Sequence, residues 1–505
     1  MLKPTIQVTL FSICGILINF IIQLVLAYFF GASEDRDAFF AASSIPAYIN
    51  VAISGSLIVV FLPRLIDIEV RKDGNSFTLI SSMTTFLVLL LLFISLPLLF
   101  FSRQLVGFLF QGFDERKIEL TGHLLLILCP ALIFQALSNI LIAVFHSNKL
   151  FLKPSGSFLI TPIVTIIAAY FLAGYVGITS VAIGSSIGWI LTFAFLQFYA
   201  GAKYKINFSF LFTDKDFHYC LRKSMPLFLG SLIFRGNTVI EKMIASNFSG
   251  GVISYLGYAG NMVNILSTVT INGIATTMFP HLSQTWSEKK MEKFRSYYSN
   301  SLKITLILCV PIIVLTIVFS KTIVATVLER GAFDHNDTIE VSYLLTVLMG
   351  SYLFLCLNTI SGKVFYVTGI TRIGLFNAFF EVFLYTGLSI LLSKYFSYYG
   401  IAYAQVISVA CSTLLASIIL QLKFKILDGR SLFKDYFKII LCGFLAYALM
   451  NSFYFWFKEQ SFLIMLFFGG AAIMIYFYVL SVVLKEARQV RYLIQDKIQN
   501  LIFSK

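Results

Sequence analysis

Long apolar runs recur along almost the whole chain, and no other feature constrains its fold as strongly. A helix rises about 1.5 Å per residue, so roughly 20 apolar residues cross the hydrocarbon core of a bilayer. Fourteen runs of about that length predict an all-α membrane protein with fourteen transmembrane helices. The runs cover residues 6–30, 38–63, 77–102, 120–145, 156–175, 177–200, 225–246, 251–280, 302–319, 341–362, 373–393, 401–422, 439–457 and 461–484.

The composition is that of a membrane protein. Hydrophobic residues make up 58 % of the chain and charged residues 12 %, where soluble proteins carry roughly 25 % charged residues. The first run is expected to remain as a span, because no small-residue cleavage site follows it. The seven cysteines include no CxxC pair and the five histidines are scattered. We therefore expect neither a disulfide framework nor a metal site built from these residues.

The formal net charge of +14 has a topological explanation. If the chain starts on the cytoplasmic side, most Lys and Arg residues fall in cytoplasmic loops, whereas Asp and Glu are evenly divided between the two sides. An excess of basic residues marks the cytoplasmic loops of membrane proteins. The sequence thus predicts that both termini are cytoplasmic, and it gives no support to a nucleic-acid partner.

The two halves of the chain resemble each other. DAFFAASSIPAYINVAISGSLIVVFLPRL at 37–65 aligns with SYLGYAGNMVNILSTVTINGIATTMFPHL at 254–282, an offset of 217 residues. FQGFDERKIE aligns with ERGAFDHNDTIE, which places Gly112 on Gly331, and SNILIAVF aligns with LNTISGKVF. Three matches in order at nearly one offset indicate an internal duplication.

The duplication defines the expected domains. Its offset spans six predicted helices, so both copies start on the same side of the membrane and are related by an axis along the membrane normal. We expect an N-terminal lobe at 1–212, a C-terminal lobe at 213–430, two added helices at 431–485 and a basic cytoplasmic tail at 486–505. Such paired lobes usually enclose a central site and rock about it.

Several motifs are similar to those of the MurJ (MviN) lipid II flippases, within the superfamily of multidrug, oligosaccharidyl-lipid and polysaccharide exporters. They are FGASEDRDAFFAASSIP, followed by FLP in the second predicted helix, LERGAFDHNDT before the tenth and FYVTGITR after it. The resemblance implies a bacterial inner-membrane flippase that moves a polyprenyl-pyrophosphate-linked saccharide from the cytoplasmic to the outer leaflet by alternating access. On this basis we expect a monomer surrounded by membrane lipids.

The cavity positions depart from that family. Where its peptidoglycan members carry arginines in helices 1 and 2 and an Asp-Arg pair in helix 8, this chain has Gln23, Asn50, and Gly260 with Asn261. The transported saccharide could therefore be lipid II or another precursor of a cell-envelope polysaccharide.

The apolar segment FLGSLIFRGNTVIEKMIASNF at 228–248 carries Arg235, Glu241 and Lys242. On one continuous helix, Arg235, Thr238 and Lys242 share a polar stripe. A charge at mid-bilayer costs about 2.5–3.5 kcal/mol, so the stripe is expected to face the protein interior or a wet cavity. The charged groups either pair with neighbouring helices or bind an anionic head group.

A diphosphate head group needs positive, donor-rich partners. Arg235 and Lys242 are the strongest candidates, with Arg36 at the outer mouth and Lys363 near the cytoplasmic end of helix 10 as weaker ones. The complete set of substrate-binding candidates is Arg235, Lys242, Arg36, Lys363, Asp37, Asn50 and Asn261.

Asp37 has a second interpretation, because it opens a predicted helix after the loop GASEDRD and could be its N-cap. Asp334 and Asp337 in ERGAFDHNDT are expected to cap the tenth predicted helix in the same way.

A further group suits a coupling cation. Some MurJ-type flippases have a sodium site made from an acid on helix 7, an Asn and an acid four apart on helix 11, and groups on helix 12. This chain matches with Glu241, Asn377 and Glu381, together with Ser408 or Ser412. Such oxygen ligands suit Na⁺, and buried carboxyls also suit H⁺. The alternative is a set of carboxyls that stay protonated or pair with a lysine, and no other cofactor is expected.

The two added helices lie outside the duplication. Their aromatic residues either line a groove for an isoprenoid tail, as the resemblance implies, or face lipid. These residues are Phe453, Tyr454, Phe455, Phe467 and Phe468. The basic tail either lies on anionic lipid or is solvated.

A membrane enzyme, a multidrug exporter and a purely structural membrane scaffold are the alternatives to a flippase. An enzyme would need convergent acid and base groups, and the sequence has no phosphate-binding glycine loop, HExxH motif or nucleophile elbow. A cation-coupled multidrug exporter of the same superfamily would share the lobes and the buried acids. Two extra helices and cations within the spans favour an anionic lipid instead.

Overall fold

A computed structural model describes residues 2–71, 76–204, 214–248, 250–425, 429–456 and 462–484. Within these ranges every regular element is helical, with eighteen α-helices and one π-helical turn, so the all-α prediction is confirmed. Ten helical segments of this part of the chain are long and apolar enough to cross a membrane, and Cys14–Phe30 and Gly469–Val482 are shorter apolar helices. The number of fourteen spans stays a prediction.

The chain folds into two compact units, residues 1–257 with 328–337, and residues 258–327 with 338–505. The first unit contains α1 (Leu2–Phe30), α2 (Glu34–Asn50), α3 (Ser56–Arg71), α4 (Ser76–Leu109), α5 (Glu115–Ser147), α6 (Leu152–Ser157), α7 (Ile160–Val176), α8 (Thr179–Tyr204), α9 (Lys215–Phe234), α10 (Asn237–Ala245) and the start of α11 (Val252–Ser287). The second contains the rest of α11, then α12 (Met291–Val318), α13 (Ser320–Leu328, except its last residue), α14 (His335–Val367, from its fourth residue), α15 (Thr371–Phe396), α16 (Tyr399–Phe424), α17 (Gly429–Trp456) and α18 (Phe462–Val483). The predicted lobes stay predictions, and the predicted tail at 486–505 lies outside the described residues.

The predicted continuous helix across residues 228–248 is wrong. α9 ends one residue before Arg235, and α10 begins one residue after Gly236. The Gly236 N–H donates to the Ile233 carbonyl at 3.0 Å, an i to i−3 bond that tightens the chain at the break. Glycine favours such a break because it gains little from helical backbone. The polar stripe from Arg235 to Lys242 is therefore interrupted.

A second irregularity lies in the predicted span at 38–63, where the π-helical turn Val51–Gly55 separates α2 from α3. The Ser56 hydroxyl donates to the Ala52 carbonyl at 2.5 Å and lies 3.2 Å from the Ser231 hydroxyl of α9. The Tyr48 hydroxyl donates to the Leu232 carbonyl of α9 at 2.6 Å. The irregular turn is thus held against α9 by side chains on both sides.

Small residues allow α7 and α8 to pack closely. A Cβ added to Gly184 would lie 2.7 Å from the Ala168 Cβ, and one added to Gly188 would lie 2.8 Å from the Thr161 Cα. Close approach of this kind favours helix association in membranes, where packing replaces the hydrophobic driving force.

The two C-terminal helices α17 and α18 pack on α12 in the second unit. Ile439 and Tyr476 are buried in this contact, and the Tyr476 hydroxyl donates to the Ile307 carbonyl at 3.3 Å. Of the aromatic residues predicted for a lipid-tail groove, Tyr454 packs within this unit against Phe319 at 5.9 Å. The remaining ones differ: Phe453 is half-buried, Phe455 is exposed, and the side chains of Phe467 and Phe468 lie outside the described part of the structure.

Candidate functional site

Asp37, in the first turn of α2, is a buried carboxylate with 1 % exposure. Its Oδ1 accepts hydrogen bonds from the backbone N–H of Ser254 at 2.7 Å and from the Ser254 hydroxyl at 2.6 Å. Its Oδ2 accepts from the Gly251 N–H at 2.7 Å and from Lys117 Nζ at 3.1 Å. One side chain therefore joins α2, α5 and the start of α11.

These contacts make Asp37 a cap for a helix other than its own. The first N–H groups of α11 have no acceptor within that helix, and a negative charge is favourable beside a helix N-terminus. The interpretation of Asp37 as the N-cap of α2 is wrong, because Ser33 occupies that position and accepts from the Arg36 N–H at 3.3 Å.

Asp337 is a second buried carboxylate of the first unit. It accepts from the Ala32 N–H at 3.4 Å and from the Tyr255 hydroxyl at 3.1 Å. It also accepts from the Asp334 N–H at 3.2 Å, while Asp334 accepts from the Asp337 N–H at 2.9 Å. This reciprocal bonding resembles a capping box and confirms that the pair caps α14.

Two glycines let the loops beside these carboxylates approach closely. Gly31 and Gly331 have φ values of +54° and +63°, which residues with a side chain rarely adopt. The Ala332 N–H donates to the Tyr28 carbonyl at 2.9 Å. A Cβ on Gly331 would lie 2.3 Å from the carbonyl oxygen of Tyr28. A Cβ on Gly31 would lie 2.3 Å from the carbonyl oxygen of Ala332. The loop before α14 thus packs closely against the connection between α1 and α2.

Arg36 lies inside the first unit and not at an open mouth. Its guanidinium is 4.1 Å from the ring centre of Phe40 and 5.4 Å from that of Phe39, and one of its nitrogens donates to Gln23 Oε1 at 3.2 Å. Only 1 % of the residue is exposed. Arg36 therefore links α1 to α2 by stacking and hydrogen bonding.

The charged residues of the segment at 228–248 differ in their exposure. Arg235 caps the C-terminus of α9 and is exposed. Lys242 is buried, with its Nζ 3.8 Å from Glu241 Oε1 and 3.3 Å from the Thr238 carbonyl. Lys242 and Glu241 thus form a pair within α10.

Asn50 belongs to an amide network between α2 and α5. Its Nδ2 donates to Gln135 Oε1 at 3.1 Å and to the Leu132 carbonyl at 3.2 Å, and its Oδ1 accepts from Asn139 Nδ2 at 3.3 Å. Asn50 is 2 % exposed, so the described contacts use most of its bonding capacity.

In the second unit, Glu381, Asn377 and Ser412 meet as predicted. The Ser412 hydroxyl donates to Glu381 Oε2 at 2.7 Å and accepts from Asn377 Nδ2 at 2.9 Å. Asn358 Nδ2 also donates to Glu381 Oε2, at 3.2 Å. All three predicted residues are buried.

The donor set around Glu381 fits a hard monovalent cation. The Asn377 Oδ1 atom is buried and has no hydrogen-bond partner among the described residues, so a carbonyl-type oxygen lies one helical turn from a carboxylate. The described residues contain no group of three or more His, Cys, Asp or Glu side chains that could hold a metal ion. A carboxylate and an amide oxygen are ligand types that suit a hard cation such as Na⁺.

The other predicted residues of the second unit have separate surroundings. Ser408 is buried and donates to the Gln405 carbonyl at 3.1 Å. Lys363 Nζ lies 5.6 Å from the ring centre of Phe279, and Asn261 is half-buried. The described contacts connect none of these three to the Glu381 cluster.

Several partners were missed by the sequence analysis. Lys117 and Gly251 carried no signal that links them to Asp37, since they lie 80 and 214 residues away. Gln135 and Asn139, four apart on one face of α5, were a usable signal because amides within a span need partners.

The chain is similar to known proteins in sequence and in fold. A profile of the family described as lipid II flippase MurJ matches residues 26–469. A protein of Buchnera aphidicola subsp. Schizaphis graminum named "Probable lipid II flippase MurJ" is 27 % identical over 413 residues, covering 79 % of either chain. A protein of the same name from Borreliella burgdorferi is 25 % identical over 471 residues, covering 90 % of this chain and 89 % of its own.

Solved structures show a similar fold. Lipid II flippase MurJ in an inward closed conformation has a TM-score of 0.82 at 23 % identity, covering 93 % of this chain and 98 % of that chain. An inward-facing multidrug resistance transporter of the MATE family has a TM-score of 0.69 at 14 % identity, covering 83 % of this chain and 96 % of that chain.

Proposed function

The chain belongs to the MurJ lipid II flippase family, and from this we propose that it moves lipid II, or a related polyprenyl-pyrophosphate-linked saccharide, from the cytoplasmic to the outer leaflet of the bacterial inner membrane. The observation that carries the proposal is the family match across residues 26–469. The protein is a multi-pass membrane transporter, and the proposed cycle needs no enzymatic step. It is expected to act as a monomer.

The identity of the saccharide is the open part of the proposal. Gln23 and Asn50 occupy positions where the resembling peptidoglycan flippases carry arginines, and both are engaged in bonds to other side chains, Arg36 and Gln135 among them. A cavity with fewer cations than those of the peptidoglycan flippases favours a substrate that has less negative charge than lipid II or a different sugar.

We propose that the fourteen apolar runs are fourteen spans, arranged as two six-helix lobes related by an axis along the membrane normal, with two added helices. Matched loops of the duplication make matched contacts, which supports this arrangement. A Cβ on Gly331 would lie 2.3 Å from the carbonyl oxygen of Tyr28, near the end of α1, and one on Gly112 would lie 2.1 Å from that of Ser246, just after α10. Each loop thus contacts the chain shortly before the second predicted span of a lobe.

The proposed orientation, with both termini in the cytoplasm, places Asp37 and Asp337 at the outer face. There the bonds from Asp37 to Gly251 and Ser254 hold α2 against the start of α11. Release of a lipid-linked saccharide to the outer leaflet would require these bonds to break. We therefore propose that the buried carboxylate of Asp37 keeps the outer side of the transporter closed until the saccharide is released.

Arg235 is the leading candidate for contact with the diphosphate. It is exposed at the break between α9 and α10, within an apolar segment, and a guanidinium suits a forked contact with phosphate oxygens. Lys242, Arg36 and Lys363 are weaker candidates, because Lys242 and Arg36 are buried and Lys363 is half-buried.

The Glu381 cluster is proposed to couple transport to a cation. A bound Na⁺ or H⁺ would neutralise the carboxylate, and the buried Asn377 Oδ1 supplies a second oxygen for Na⁺. The role of Glu241 in the same coupling stays a prediction, since its described partner is Lys242.

The test is reconstitution into vesicles, with two readouts. One is transfer of a labelled polyprenyl-pyrophosphate saccharide between leaflets, and the other is efflux of a cationic dye. Lipid transfer that weakens in Arg235→Ala would support the proposal. Dye efflux without lipid movement would instead favour a multidrug exporter, the function of the MATE transporters that share the fold at 14 % identity.

A further inference from the structure

Four tyrosines surround one carboxylate in the second unit, where α14 begins and α15 passes into α16. The hydroxyls of Tyr398 and Tyr399 each donate to Glu340 Oε2 at 2.6 Å. The Tyr343 ring packs edge-on against Tyr399 at 4.8 Å, and its hydroxyl lies 2.5 Å from that of Tyr403. Burial, and then the bond to Glu340, raises the pKa of Tyr398, which keeps its hydroxyl protonated as a donor. We name these five residues the tyrosine cluster.

The tyrosine cluster leaves one carboxylate oxygen of Glu340 available. Both tyrosine bonds fall on Oε2, and no described contact uses Oε1. Glu340 is half-buried, and Tyr343 is 45 % exposed. A ligand that reaches the cluster would therefore meet a carboxylate oxygen flanked by aromatic rings.

An apolar groove of about 460 Å³ continues from the tyrosine cluster between α14, α15 and α16. This volume lies within the range of roughly 300–1,000 Å³ that is typical of small-molecule sites. Phe396 and Ile407 are exposed on its lining by 51 % and 42 %, so the groove is open on its outer side. The lining residues are Val347, Leu392, Phe396, Tyr403, Val406 and Ile407.

Tyr403 belongs to both features, so the groove and the polar cluster form one continuous site. In a membrane span an open apolar groove of this kind is filled by a hydrocarbon chain, and tyrosines are typical of the depth at which lipid head groups lie. The arrangement therefore matches a molecule with an apolar chain and a polar head.

The charge of the site selects the head group. The groove lining has no basic residue, and the tyrosine cluster contributes one carboxylate. A carboxylate beside aromatic rings attracts an ammonium group by charge and by cation–π interaction, whereas it repels an anionic head group. We propose that this site binds a membrane phospholipid with a primary ammonium head group, phosphatidylethanolamine, with an acyl chain in the groove and the ammonium against Glu340.

The test measures lipid adducts on the purified full-length protein by native mass spectrometry. Phosphatidylethanolamine and phosphatidylglycerol with identical acyl chains are compared at equal concentration. Wild-type protein is expected to bind phosphatidylethanolamine more tightly by about fivefold, the order of magnitude of a carboxylate–aromatic contact with an ammonium group. Glu340→Gln keeps the shape and the acceptor oxygen, and it is expected to remove this preference.

Glu119→Gln is the control, because Glu119 is an exposed carboxylate near the start of α5, as Glu340 lies near the start of α14. It should leave the preference unchanged. Ile407→Trp fills the groove from its exposed side and is expected to reduce binding of both lipids, with an unchanged melting temperature in lipid-free detergent.

Equal binding of the two lipids to wild-type protein would overturn the proposal. So would an equal loss of preference in Glu119→Gln and Glu340→Gln. If a polyprenyl-linked saccharide displaces phosphatidylethanolamine at stoichiometric amounts, the site belongs to the transported lipid and the proposal is wrong. None of these outcomes depends on whether the protein flips lipids.

Discussion

Asp37 accepts two hydrogen bonds from Ser254, the residue that lies 217 positions further along the chain. In the predicted duplication, the two residues are the first matched positions of the segments 37–65 and 254–282. The carboxylate near the start of α2 therefore caps the start of α11.

The buried pair of Asp37 and Lys117 should be important for stability. Asp37→Asn keeps the shape of the side chain but leaves Lys117 without its negative partner. Removal of one member of a buried ion pair lowers the free energy of unfolding by about 3–5 kcal/mol. Thermal unfolding in detergent measures the effect.

Asp35→Asn is the control for that change. Asp35 pairs with Arg116 at 3.4 Å, but the two side chains are 40 % and 76 % exposed. Exposed pairs contribute about 0–1 kcal/mol. Similar losses of stability in Asp35→Asn and Asp37→Asn would contradict the role assigned to Asp37.

The close loop contact at Gly331 should be sensitive to a single methyl group. Gly331→Ala places a Cβ 2.3 Å from the carbonyl oxygen of Tyr28. Gly369→Ala is the matched control, because Gly369 has a similar φ of +73° but nothing within 4 Å of the added Cβ. Both changes share the backbone penalty of about 1 kcal/mol, and overpacking adds about 1–3 kcal/mol at Gly331 alone. Equal melting temperatures of the two variants would argue against a close contact between Gly331 and the Tyr28 carbonyl.

The Glu381 cluster should respond to its coupling ion. If Na⁺ binds there, replacing choline by Na⁺ raises the melting temperature of the wild type, since a ligand at 100 times its Kd stabilises by about 2.7 kcal/mol. Glu381→Gln should abolish the Na⁺ effect, whereas Glu292→Gln, an exposed acid at the start of α12, should keep it. An unchanged Na⁺ response in Glu381→Gln would show that the ion binds elsewhere.

Arg235 should contribute to lipid transfer through its charge and fork geometry. A charge-assisted hydrogen bond contributes about 1.5–3 kcal/mol, so Arg235→Ala should slow transfer by about tenfold or more. Arg235→Lys should recover part of the rate, and Arg222→Ala, an exposed arginine of α9, should leave it unchanged. Equal rates for wild type and Arg235→Ala would remove Arg235 from the substrate site.

Local features were predictable from the sequence. Apolar runs of membrane length gave the all-α fold, and the spacing of Asn377 and Glu381 placed both on one face of α15. The cap formed by Asp334 and Asp337 was also predictable, because its bonds lie within three residues.

Tertiary features were not predictable in the same way. The bond from Asp37 to Gly251 joins residues 214 positions apart, so local N-cap rules assigned Asp37 to the wrong helix. The helix break at Gly236 was hidden because the apolar run continues through it. Hydropathy reports the cost of membrane insertion and not the continuity of backbone hydrogen bonds.

Transfer of a labelled polyprenyl-pyrophosphate saccharide in vesicles that contain only this protein tests the central claim most directly. The label on the outer leaflet is destroyed by a reagent that cannot cross the membrane, so the label that remains reports the inner leaflet. We predict that wild-type protein exposes the protected lipid with time and that Arg235→Ala does so more slowly. Protection that persists in wild-type vesicles as in protein-free vesicles, with correctly folded protein in the membrane, would contradict the account.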